Sequence, residues 1–206
     1  MENIKINIIQ AASVQFYQVG IRNVSIDDVC AGLRISKKTF YQYFNKKEDL
    51  IDAVIAYGQE EHMEKVHKCI KDKNAIEVFI FMIKEIKKTS ECAPFMFWHD
   101  LKKYYPALFH KYDQYKNEQI KTAFEENILQ GIKEGYYRDN LDIELVSFFH
   151  SVQIKSTFET MMQSQKKYTL KRLTDFFIDM IIHLIVNEKG LKYVEENLTE
   201  KTNNNN

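Results

Sequence analysis

Between residues 34 and 47 the chain carries five basic side chains, Arg34, Lys37, Lys38, Lys46 and Lys47, and no acidic one. Hydroxyls interleave with them at Ser36, Thr39, Tyr41 and Tyr43. Ammonium and hydroxyl donors packed into so short a stretch suit the oxygens of a phosphate backbone, which takes most protein–DNA hydrogen bonds. Gln42, in the same stretch, has the amide needed to pair with the edge of adenine. Charge alone leaves an ordinary solvated helix about equally admissible, because short basic runs are common. The elements that carry these residues decide between the two.

Ser25 followed three residues later by Asp28 is a helix-start signal of the capping-box type, with Asp in place of the longer Glu. Ile26, Val29 and Leu33 then repeat at helical spacing. The chain turns around Leu33-Arg34-Ile35, and Ser36 caps a second short helix to about Phe44, with Phe40 and Phe44 inward. Two short helices and a tight turn make a helix-turn-helix, whose second helix can lie in the DNA major groove. Lys37, Lys38, Thr39 and Gln42 are the candidates for the groove. Ser25, Tyr41, Tyr43 and Lys47 are candidates for phosphates, and Ser36 belongs to the same DNA-facing set.

Gly20 closing a first helix, then Ser25, SKKTFYQYF at 36–44 and NKKEDL at 45–50, closely resembles the DNA-binding domain of the TetR family of bacterial transcriptional regulators. The family pattern sets a Ser before a Thr-apolar-Tyr-x-Tyr/His-Phe run, then a Lys and an acidic pair before Leu. Here these are Ser36, residues 39–44, Lys47 and Glu48-Asp49-Leu50. The likeness covers roughly residues 4–55, about a quarter of the chain. One departure is Leu33-Arg34, where the family often has Ala-Gly; a turn of the usual shape makes Arg34 left-handed, at about 1–2 kcal/mol. Residues 131–147, GIKEGYYRDNLDIELVS, are similar to a second family stretch that precedes the penultimate helix.

The resemblance implies an all-α fold: a three-helix helix-turn-helix DNA-binding domain, then a helical ligand-binding and dimerisation domain. On this sequence these are residues 1–46 and 47–190, with 191–206 as a polar, disordered tail. It implies double-stranded DNA, a second copy of the chain and a small-molecule effector as partners, and repression as the mode of regulation. A two-fold dimer places its recognition helices about 34–36 Å apart, so the operator is near-palindromic.

Composition agrees with a helical protein: 45% hydrophobic residues, two prolines and six glycines. Acidic and basic residues balance at 29 each, so any attraction to DNA must come from a local patch. Cys30, Cys69 and Cys92 are widely spaced and show no CxxC, which favours ordinary thiols in a reducing cytoplasm. No secretory leader is visible, and the apolar run 176–186 is far short of the roughly 20 residues that span a bilayer, so a soluble, cytoplasmic protein with no membrane partner is expected. The six histidines show no metal spacing, and no nucleophile elbow, P-loop or dinucleotide loop occurs. No metal, no cofactor and no enzymatic activity are expected.

The remaining chain reads as amphipathic helices over about 3–19, 46–69, 74–88, 94–105, 106–134, 142–163 and 169–187. Aromatics and methionines crowd residues 79–112. From them and later positions a ligand pocket would draw Phe79, Met82, Phe97, Trp98, Tyr105, Phe109, Phe124, Phe149 and His150, although filling a core explains each residue more simply. Leu145, Phe148, Phe149, Val152 and Met161 read as the inward face of the penultimate helix. The last long helix is apolar nearly all round, which needs burial on most sides, and the same helix of a second copy is the natural partner. Phe149, Val152, Leu173, Phe177, Met180, Ile181 and Leu184 are the expected dimer residues. Two other readings stay open: a DNA-binding head whose C-terminal half takes a protein partner, and a helical enzyme or lipid carrier.

Overall fold

With so few prolines and glycines the chain has little to interrupt helix, and every regular element among the described residues is one. The computed structural model describes residues 2–92, 94–162 and 168–198. In order they form α1 (Glu2–Val19), α2 (Ile26–Leu33), α3 (Lys37–Phe40), α4 (Lys47–Ile70) and α5 (Ala75–Cys92). Then follow α6 (Phe95–Tyr104), α7 (Pro106–Lys133), α8 (Ile143–Met162), α9 (Leu170–Ile185) and α10 (Glu188–Leu198). One isolated antiparallel bridge joins Tyr137 to Val186.

Two compact units result, Met1–Cys69 with Pro94–Asp113, and Ile70–Ala93 with Gln114–Asn206. A boundary at residue 46 therefore does not mark where the contacts divide. The first unit keeps α4 and also takes α6, because Phe97 and Leu101 are fully buried within it. Its core is Ile8, Ala12 and Phe16 of α1, Val29 of α2, Phe40, and Leu50, Ile51 and Val54 of α4, each at 0–1% exposure. Full burial of one such side chain contributes roughly 1.5–3 kcal/mol, so α1 and α4 form the platform on which the short helices are held.

In the second unit Ile76, Phe79 and Ile83 of α5 join Phe124 and Ile128 of α7 and Ile178, Ile181, Ile182 and Ile185 of α9 in one core cluster. Asp142 caps α8 by accepting from the Leu145 N–H at 3.1 Å, and Thr169 caps α9 by accepting from the Arg172 N–H at 3.2 Å. Gly135, at φ 75, turns the chain out of α7. The stretch that follows is stitched to the end of α9: Arg138 N–H donates to Ile185 O and Asn187 N–H to Tyr136 O.

Two expectations fail in this unit. Residues 191–198 are not a disordered tail but the body of α10, with Gly190 and Val194 buried and the Tyr193 hydroxyl donating to Glu77 at 3.1 Å. Polar residues there cover the outer face of a helix whose inner face still packs. Residues 199–206 of the expected tail lie outside the described residues. In α8 the inward face is reversed: Leu145, Phe148, Phe149 and Val152 are 43–61% exposed, while Val146, Ser147 and Gln153 are buried. Apolar spacing identifies a stripe, but not whether the stripe meets this chain's own core or another surface. The side chains of Phe158 and Met161 lie outside the described residues.

Candidate nucleic-acid interface

The two short helices are fixed by their caps. The Ser25 hydroxyl accepts from the Asp28 N–H at 3.1 Å, and Asp28 takes bonds from the Ser25 N–H at 2.7 Å and hydroxyl at 2.6 Å. These bonds hold the Asp28 carboxyl below its ordinary range. At the far end of α2 the Arg34 N–H donates to Ala31 O and the Ile35 N–H to Cys30 O, the paired bonds of a Schellman ending. Arg34 sits at φ 55, ψ 39, the left-handed region that its place in the turn requires.

Ser36 then accepts from the Thr39 N–H at 3.0 Å and caps α3, its hydroxyl 2.9 Å from that of Thr39. The α-helix is shorter than expected. Beyond Phe40 it tightens, with Gln42 N–H donating to Thr39 O and Tyr43 N–H to Phe40 O, so the helical path still reaches Phe44. Phe40 and Phe44, at 0% and 4% exposure with ring centroids 5.5 Å apart, fasten one face. Lys37, Lys38, Tyr41 and Gln42 are exposed on the others. Ser25 and Ser36 are thus occupied as caps, and their role is to hold the helices rather than to stand free.

The outward side chains differ in readiness. Lys38, Gln42 and Tyr43 make no side-chain hydrogen bond or ion pair with any described residue. Lys37 pairs with Asp27 at 2.8 Å, both more than 60% exposed, and this bond raises the lysine's pKa. An ion pair this exposed contributes little and can exchange for a phosphate.

Lys47 is placed otherwise than expected. Its ammonium donates to Ile21 O and lies over the Phe16 ring, 5.7 Å from the centroid. Burial lowers its pKa, opposed by the nearby carboxylates of Asp100 and Asp28. The neighbouring N–H belongs to Arg22 and donates to the buried Asp100 carboxylate at 2.9 Å. A single peptide group, between Ile21 and Arg22, is therefore gripped from both ends, its oxygen by α4 and its N–H by α6. Gly20 is required beside it. It lies at φ 86, and a Cβ there would stand 2.7 Å from Asp100 Oδ2. The Arg22 guanidinium also donates to the Tyr104 hydroxyl at 3.2 Å, and Tyr17 meets Phe97 edge-on at 4.8 Å.

Sequence reasoning missed this grip. Its only trace was a lone acid, Asp100, among the aromatics of α6. Four of the expected pocket residues, Phe97, Trp98, Tyr105 and Phe109, belong to this first unit. Phe79, Met82, Phe124 and His150 belong to the second, so neither unit gathers the whole set. Phe149 leaves the pocket set, because it is 48% exposed on the outward stripe of α8.

That stripe, Leu145, Phe148, Phe149 and Val152, is joined in exposure by Phe176 of α9 at 63%. Leu173, Phe177, Met180 and Leu184 are half-buried. Ile181 leaves the dimer set: at 3% exposure it is core, since the inward face of α9 runs through Thr174, Ile178, Ile181 and Ile185. Among the described residues no group of three or more His, Cys, Asp or Glu is placed to hold a metal, and no helix is long and apolar enough to cross a membrane.

A capped short helix with a basic, hydroxyl-rich outer face, held on a second helix through a left-handed turn, defines a helix-turn-helix protein. Residues 8–54 match the model of the bacterial regulatory proteins of the tetR family. The HTH-type transcriptional repressor KstR2 of Mycobacterium tuberculosis is 24% identical over 147 residues, 69% of this chain and 73% of that protein. A TetR transcription regulator from Haloarcula marismortui shares the fold at a TM-score of 0.75 and 16% identity, over 91% of this chain and 100% of that one. The transcriptional regulator FadR of Bacillus subtilis, solved in complex with stearoyl-CoA, superposes at a TM-score of 0.60 and 18% identity, over 86% and 97% of the two chains. Over residues 8–54 the chain is thus similar to the bacterial regulatory proteins of the tetR family, and over most of its length it shares their fold with the solved regulators.

Proposed function

We propose that this protein is a cytoplasmic, ligand-responsive transcriptional regulator that binds a near-palindromic operator as a homodimer and represses until a small apolar or amphipathic molecule releases it. The observation that carries the reading is the outer face of α3, where Lys37, Lys38, Tyr41 and Gln42 stand exposed on a helix rigidly capped by Ser36. Lys38 and Gln42 address the groove, and Lys37 takes a phosphate once it gives up Asp27. Tyr41 and Tyr43 flank them as hydroxyl donors to the backbone. Thr39, its hydroxyl bonded to that of Ser36, completes the groove set. Lys47 is withdrawn from the phosphate contacts and holds the loop before α2.

Repression is supported by the relative named a repressor, and ligand response by the structural neighbour that holds stearoyl-CoA. A second copy is the natural cover for Leu145, Phe148, Phe149 and Val152, because four large apolar side chains at helical spacing are costly to leave in water. Release follows from differential affinity: the ligand must favour an arrangement in which the two recognition helices no longer match successive major grooves. Within the head, α4 and α6 are the levers, since both grip the Ile21–Arg22 peptide.

Salt dependence tests the assignment residue by residue. Lys37→Ala should lower the slope of log affinity against log salt by about 1, the signature of one lost phosphate contact. Lys47→Ala should leave the slope unchanged while lowering stability. The opposite outcome would return Lys47 to the phosphate and remove α3 as the basic reading surface.

A further inference from the structure

The inward face of α8 is polar at positions where a core is expected to be apolar. Ser147 is 0% exposed, and its hydroxyl finds no hydrogen-bond partner among the described residues. One turn on, the His150 ring stacks on Phe124 of α7, centroids 4.1 Å apart and planes at 29°. Another turn on, Gln153 is 8% exposed, and among the described residues its amide N–H reaches only the Met180 sulfur, at 3.6 Å. Residues 147, 150 and 153 thus place two buried polar side chains and the half-buried His150 ring on successive turns of one inward face. A buried polar group without a partner is costly, and alanine or leucine would fill these places at less cost. Such groups persist where something else completes their hydrogen bonds.

We propose that Ser147, His150 and Gln153 form the polar row that binds the uncharged head of an amphipathic small molecule, whose apolar part lies along the core beside Phe124. The inference rests on the ligand-responsive reading above and specifies its effector: an alcohol, ketone or amide rather than a carboxylate. The chemistry of the surroundings sets that choice. Among the described residues of this unit the buried polar side chains are Ser147, Gln153 and Thr174, none of them charged. Lys121 and Glu125, on either side of Phe124 in sequence, pair with each other at 3.6 Å. Burial drives the His150 pKa down to about 4, so the imidazole is neutral near pH 7 and offers one donor and one acceptor but no counter-charge. A carboxylate head would be desolvated there without a cation. A hydroxyl or amide head would give the Ser147 hydroxyl and the Gln153 amide the partners they lack.

The test uses the full chain with two probes that share a tail, 1-decanol and decanoate, titrated below their aggregation limits at pH 7.5 by calorimetry. Decanol should bind at least tenfold more tightly than decanoate. Ser147→Ala should weaken decanol at least fivefold and at the same time raise the melting temperature of the ligand-free protein, because an unsatisfied group has gone. A purely structural serine would lower it. Gln153→Met serves as the second variant, with the same loss of decanol affinity expected. Addition of decanol should also move the 15N resonances of the His150 ring. Equal affinity for the two probes, or unchanged decanol binding in both variants, would overturn the row; the latter would mean that ordered water satisfies it. Absence of any probe binding in protein that still binds DNA overturns the row and spares the regulator. Decanol binding without DNA binding does the reverse.

Discussion

Asp100→Ala removes one jaw of the grip on the Ile21–Arg22 peptide, and its cost can be worked from the bonds involved. The carboxylate takes the Arg22 N–H at 2.9 Å from a buried position. A hydrogen bond to a charged group contributes roughly 1.5–3 kcal/mol net, and the N–H left behind is only part-buried, which places the loss toward the lower half of that range. The half-buried Lys47 ammonium also loses a favourable neighbour. A destabilisation of about 2 kcal/mol is therefore expected. Asp100→Asn keeps an acceptor but not the charge, and should cost about half as much. Urea unfolding of the full chain measures both. Because the two jaws hold one peptide, Lys47→Met and Asp100→Ala should couple, with a double mutant departing from additivity by about 1 kcal/mol. DNA affinity should fall with an unchanged salt slope, since no phosphate contact is lost. An Asp100→Ala protein within 0.5 kcal/mol of the parent, the scatter of ordinary surface changes, would refute the grip.

Three further outcomes follow from single positions. Arg34→Gly relieves a left-handed non-glycine residue, about 1–2 kcal/mol, against roughly 0.5–1 kcal/mol of added chain entropy, so a net gain of about 0.5–1 kcal/mol is expected in the urea midpoint. Asp27→Asn frees Lys37 and removes a negative charge beside the proposed DNA-binding face; affinity should rise about fivefold at low salt, and a fall would mean that the ion pair orients Lys37 for binding. His150 takes its proton near pH 6.5 when unfolded but only near 4 when folded, so the unfolded chain binds the proton first and stability falls as pH drops from 6.5 toward 4. The contribution lost between pH 7 and pH 5 is about 2 kcal/mol, and His150→Phe should flatten that limb of the urea midpoint against pH.

Local signals were legible in the sequence, and distant ones were not. The caps at Ser25 and Ser36 depend on residues within three positions of each other, so spacing alone located them. The left-handed turn at Arg34 could be anticipated for the same reason, once the family pattern gave the shape of the turn. Lys47 misled because its position at a helix start suits an anion, whereas its long side chain reaches back to a carbonyl 26 residues earlier in the chain. The partnership of Asp100 with Arg22 spans 78 residues, beyond any periodicity. In α8 both faces carry a helical repeat, and hydrophobicity picked Phe148 and Phe149 for the core because it cannot distinguish a core from an exposed apolar stripe. Ser147 and Gln153 were passed over as polar, although their burial makes them the more informative residues.

The most direct test of the central reading is a titration of the purified full-length protein against a short duplex from just upstream of its own gene, beside a scrambled duplex, at 50 and 200 mM salt. Two chains should bind the upstream duplex together, in preference to the scrambled one. Affinity should fall by roughly 10³-fold or more between the two salts, as expected for six or more phosphate contacts across a dimer. Binding that is absent at both salts, or indifferent to salt, would contradict a regulator that reads DNA through the outer face of α3.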